Sequence, residues 1–154
     1  MGALLALVLS AEMWWLYFGR EESESEARLE RVPTQRRPRI AVNAFGYAYY
    51  VIILGIAVAA VGMEKAIDEF HHPSHHLPAL LLPLGISLYL FGLAYFHRTL
   101  AGTWPTARLT AALAAAALVA PIAAWTSGAA ALATAALVLL ALIAWESRPQ
   151  PTSP

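Results

Sequence analysis

"ARLTAALAAAALVAPIAAWTSGAAALATAALVLLALIAW", residues 107–145, carries one charged side chain, Arg108. Two apolar runs, 107–125 and 128–145, are parted by the short turn "TSG". Neither run keeps the polar face that a helix buried in a soluble bundle retains. Neither alternates with period two, which excludes the strands of a membrane barrel. A hydrocarbon layer of about 30 Å takes roughly 20 apolar residues in a helix. The stretch therefore reads as two membrane-spanning helices joined by a tight hairpin.

The same rule, applied outward, gives three further spans at 77–96, 43–66 and 2–18, the last short and carrying Glu12. The expected fold is all-α, a polytopic integral membrane bundle of five transmembrane helices. Composition agrees: of 154 residues 59% are hydrophobic and 13% charged, too few charges to cover a soluble domain. Cysteine is absent, which removes disulfides, thiolate metal sites and a cysteine nucleophile. Net charge is zero, so no nucleic-acid footprint exists. The first run lacks a basic n-region and a small-x-small cleavage site, so it is not read as a signal peptide. A chain that enters the membrane almost at its first residue is expected to be a truncated product or part of a longer polytopic protein.

The connections differ in kind. Residues 19–42 form a charged loop, in which "ESESEARLER" predicts a short surface helix with Glu24 and Arg28 paired at i,i+4, ended by Pro33 and Pro38. Residues 67–76 make a histidine-rich loop, "HRTLAGTWPT" joins spans three and four, and 147–154 is a proline-rich tail expected to be disordered. With alternating spans, nine arginines (Arg20, Arg28, Arg31, Arg36, Arg37, Arg39, Arg98, Arg108 and Arg148) fall on one side and Lys65 on the other. The positive-inside rule places the arginines in the cytoplasm, the N-terminus outside and the C-terminus inside, in a multi-pass protein of the cell membrane. Aromatic belts agree: Trp14, Trp15, Tyr17, Tyr47, Tyr49, Tyr50 and Trp145 mark the inner interface, and Trp125 the outer.

Small residues Gly55, Ala59, Gly62 and Ala66 line one face of span two, and Gly85 and Gly92 flank Tyr89 in span three, as close helix packing in lipid requires. Pro83 is placed in the first outer turn of span three, and Pro121 is expected to kink span four. Glu12 is the one carboxylate well inside a span. Burying an ionised side chain at mid-membrane costs about 2.5–3.5 kcal/mol on insertion scales, which makes it a functional candidate by default. Its position about two turns from the inner boundary argues for an ordinary helix–helix hydrogen bond instead. Glu12 is expected on one face with Val8 and Trp15, pointing into the bundle, with Tyr47 or Tyr49 as its phenolic partner. At the outer end Glu64 and Asp68 share a face at i,i+4, as do Lys65 and Glu69. A solvated helix cap explains these acids better than an ion-binding mouth. His71, His72, His75 and His76 are grouped as metal ligands would be, but Pro73 interrupts the helix that would align His71 with His75. They read as polar because their loop meets water, and no metal site is assigned. No phosphate loop, zinc-helix motif or nucleophile elbow is present, so neither enzyme chemistry nor a cofactor is expected.

"MWWLYF" at 13–18, "GIAVAAVGMEKAI" at 55–67, "LPLGISLYLFGLAYFHR" at 82–98 and "ALIAWE" at 141–146 follow one another in an order that resembles the C-terminal half of the bacterial low temperature requirement protein A family. The resemblance covers nearly the whole chain. It departs at Gly19, where the family commonly has Asp, at Tyr49, where a His is expected, and in lacking the family's N-terminal Glu-Leu-Phe-Phe-Asp motif. The resemblance implies an inner-membrane location and a helical fold, not a reaction. Three functions stand as expectations: part of a transport or permeation protein built around Glu12; a non-transporting membrane protein acting through helix packing or partners in envelope or stress adaptation; and an outer-loop metal binder. The expected partners are the lipid bilayer and other membrane helices or further copies of the chain.

Overall fold

The computed structural model describes residues 1–18, 46–71 and 76–148, with backbone alone at 76–79, 100 and 101. Among these every regular element is helical: α1 (Gly2–Phe18), α2 (Tyr49–Asp68), α3 (His76–Ala101), α4 (Thr106–Trp125) and α5 (Gly128–Glu146). Segments of α2 to α5 are each long and apolar enough to cross a membrane. The fifth helix, α1, has 17 residues and is about 25 Å long. The charged loop 19–42 with its "ESESEARLER" segment, and residues 149–154, lie outside the described residues.

Several boundaries shift for local reasons. A π-helical turn at 46–48 precedes α2. Span three runs past 96 to Ala101 and stops at Gly102, whose φ of 75° favours glycine and whose N–H donates to the Arg98 carbonyl at 2.8 Å. Because α3 starts at His76, Pro83 sits two turns in, buried inside the helix, and not in its first turn. Pro121 cannot return a hydrogen bond to Ala117, and the helix meets this loss with a π-helical stretch, Ala115–Val119, just before it. Ser147 and Arg148, expected in the tail, still bond back to Ile143 and Trp145.

The helix α3 is central, with half of its span buried inside the protein, more than α2, α4 or α5. It packs between α2 and α4, while α5 closes the bundle against α4, α2 and α1. Along the α2–α3 seam Ile52 faces Gly92, Gly55 faces Tyr89, Ala59 faces Gly85, and Gly62 faces Leu82. Each step forward in α2 is matched by an equal step backward in α3, the register of an antiparallel pair. Lipid tails are as apolar as leucine, so helices associate through dispersion, and dispersion needs close backbones. At Gly55 a Cβ would stand 2.5 Å from the Tyr89 backbone nitrogen.

The hairpin "TSG" does more than turn the chain. Gly128 and Ala129 donate their N–H groups to the Glu69 and Phe70 carbonyls at 3.1 and 3.2 Å, and Ser127 Oγ accepts from Ala130 at 3.3 Å. The first N–H groups of a helix have no partner within it. Here the end of α2 supplies acceptors, and Gly128 lies so close to the Ala66 carbonyl that a Cβ would overlap it.

Candidate functional site

Glu12 lies on the buried stripe of α1 with Leu9, Met13 and Leu16, on a helix that rests chiefly on α5. It is 8% exposed, whereas Val8 and Trp15 are 48% and 56% exposed. The expected grouping of Glu12 with Val8 and Trp15 is therefore corrected: those two side chains face outward. Helical geometry sets Val8 and Trp15 roughly 40° and 60° to one side of Glu12, and Leu16 and Leu9 equally far to the other. The docking of α1 on α5 chooses the second side.

The expected hydrogen bond from Tyr47 or Tyr49 to Glu12 is not formed. Both rings project outward, 67% and 43% exposed, because α1 leans on α5 and touches α2 only slightly. Glu12 Oε2 is buried with no hydrogen-bond partner among the described residues. The polar tie at this depth comes from α3: the Tyr89 hydroxyl donates to the Met13 carbonyl, next to Glu12. Tyr89 is 1% exposed, lies over Gly55, and bridges three helices. The sequence marked it as a packing residue. On the α2 side of α1 an apolar groove of about 340 Å³ is lined by Met13, Trp14, Ile52 and Met63 among others, and Glu12 does not line it.

At the opposite end Glu64 and Asp68 are exposed. Lys65 reaches both, with Nζ 3.3 Å from Asp68 and 3.9 Å from Glu64, rather than Glu69 at i,i+4. Exposed pairs of this kind contribute little. Glu69 turns inward, and its Oε2 is buried with no hydrogen-bond partner among the described residues. The His71 ring meets Phe70 edge-on at 5.0 Å. His72 and His75 lie outside the described residues, and His76 is described by its backbone alone. Among the described residues no three His, Cys, Asp or Glu side chains gather as metal ligands do.

Sequence reading missed an ion pair. Arg108 Nε lies 2.9 Å and Nη2 3.4 Å from the two oxygens of Glu146, with side-chain exposures of 5% and 18%. By sequence Arg108 counts only among the charges that set the topology. The available signal was position: an arginine in the first turn of one span and a glutamate at the last residue of the next, at the same end of a hairpin.

Among the described residues, four membrane-length helices, a shorter fifth beside them and a largely alkyl core that also buries Glu12 and Arg108 define a polytopic helical membrane protein. The chain belongs to the family of the bacterial low temperature requirement A protein (LtrA), whose family model matches residues 1–144. No curated protein and no solved structure matches it.

Proposed function

We propose that this LtrA-family chain is a multi-pass protein of the bacterial plasma membrane that works in transport or permeation, with Glu12 as the group that takes up and releases a proton or cation. The buried Glu12 Oε2, without a hydrogen-bond partner among the described residues, carries this reading. An ionised carboxylate at depth costs about 2.5–3.5 kcal/mol on insertion scales. An acceptor left without a donor adds a desolvation penalty of about 1–3 kcal/mol. An apolar residue would avoid both costs, so a purely structural position has no use for a carboxylate. The reading needs no covalent catalysis, cofactor or resident metal.

The test is ion flux in proteoliposomes with a trapped pH dye. Glu12→Gln is expected to abolish flux while the melting temperature stays within a few degrees of wild type. Undiminished flux in that variant would end the proposal. A folded wild type that moves no ions under any imposed gradient would favour the non-transporting reading, in envelope or stress adaptation.

The proposed orientation has its own check. A membrane-impermeant thiol reagent added outside should label a cysteine at position 74 and spare one at position 25. The reverse pattern would invert the topology.

A further inference from the structure

The hairpin of α4 and α5 is tied at both ends, by the turn at Thr126 and Ser127 and by the Arg108–Glu146 pair at 2.9 Å. Between the ties the helices leave an open groove of about 790 Å³. It runs from Thr106 to Leu118 on one wall and from Thr134 to Trp145 on the other. That is about 18 Å along the helix axis. Half of a bilayer's hydrocarbon core is about 15 Å. The groove is thus one leaflet deep and stops near the middle of the membrane.

Its lining is apolar in effect. Ala107, Ala111 and Ala141 give it width, and Thr110 and Thr134 spend their hydroxyl protons on the Ala107 and Ala130 carbonyls of their own helices. At the mouth the charge changes. The Arg148 guanidinium stands 5.2 Å over the ring of Trp145, which lines the groove. Arg148 is exposed and has no ion pair among the described residues, while Arg108 close by is engaged with Glu146.

An apolar slot, one leaflet deep and topped at headgroup level by a cation with no ion pair among the described residues, has the chemistry of a phospholipid site. We infer that the α4–α5 groove binds one acyl chain of an anionic phospholipid, with the phosphate and headgroup against Arg148. A transmembrane helix of a second copy is the wrong shape, because it would need a groove crossing both leaflets. Zwitterionic lipid fills the slot equally well but gains less from the cation. A basic side chain near an anionic surface contributes about 1 kcal/mol, which converts to a preference of about fivefold.

Native mass spectrometry of the full chain in mild detergent tests this, with phosphatidylglycerol and phosphatidylcholine of matched chains as probes. Wild type is expected to retain one phosphatidylglycerol per chain, in about fivefold preference over phosphatidylcholine. Arg148→Gln should bring the two lipids to parity, and Arg148→Lys should keep the preference. Ala141→Trp, which fills the slot from an exposed position, should lose both lipids without altering the fold. Equal retention of the two lipids by wild type would overturn the inference. So would a preference that survives both Arg148→Gln and Ala141→Trp. A lipid-free dimer that dissociates on Ala141→Trp would also overturn it, giving the groove to a second copy.

Discussion

Arg108→Leu is expected to destabilise the protein by about 3 kcal/mol, because breaking a buried ion pair from one side leaves the other charge desolvated without the partner it faced. The Glu146 side chain is 18% exposed and accepts two hydrogen bonds from that guanidinium. Neither charge suits its own helix. Arg108 lies in the first turn of α4, where the helix dipole presents positive charge, and Glu146 is the last residue of α5, where it presents negative charge. Each charge is offset by the other across the hairpin. The double variant Arg108→Leu/Glu146→Leu should therefore recover most of the loss. The swapped pair Arg108→Glu/Glu146→Arg places both charges with their dipoles, and should match wild type or exceed it by roughly 0.3–1 kcal/mol. Equilibrium unfolding in mixed micelles measures all three. If the single and double leucine variants are equally unstable, the two side chains act separately and the pairing argument fails.

Gly85→Leu should be as damaging, at about 3 kcal/mol, the upper end of the cost of overpacking a filled interior. A Cβ at Gly85 overlaps the backbone nitrogen and Cα of Ala59, which cannot rotate aside as a side chain would. The helices α2 and α3 would have to separate along the whole seam from Ile52–Gly92 to Gly62–Leu82, and α3 is the central helix of the bundle. Separation loses dispersion that lipid does not return in kind. Gly102→Ala is the control. Its φ of 75° strains any other residue, yet a Cβ there meets nothing within 4 Å. It should cost about 1 kcal/mol, the penalty of the left-handed conformation alone. Thermal melting separates the two, and a Gly85→Leu protein that melts like Gly102→Ala would show that the seam is not closely packed.

The fold class was legible because it depends on local quantities. The apolar length of 128–145 and the absence of a polar face follow from adjacent residues, and the cost of leaving such a run in water does not depend on its neighbours in space. The small residues of the α2–α3 seam were legible too. In lipid only small side chains let backbones meet, and Gly55, Ala59 and Gly62 recur at helical spacing. Even Glu12 stood out, since an ionisable group at depth is costly wherever its helix packs.

What Glu12 faces was decided by tertiary structure. Its neighbours at roughly 40–60° on either side are all apolar, so periodicity cannot tell the lipid-facing edge from the buried one. Only the docking of α1 on α5 turned Leu9 and Leu16 inward and Val8 and Trp15 outward. The same holds for the Tyr89–Met13 hydrogen bond, the Arg108–Glu146 pair and the carbonyls of Glu69 and Phe70 that receive the first N–H groups of α5. Their partners sit far apart in the chain, on different helices. Hydrophobic length says where a helix lies in the membrane. The rotation of each helix about its axis, which determines these contacts, is set by packing against its neighbours.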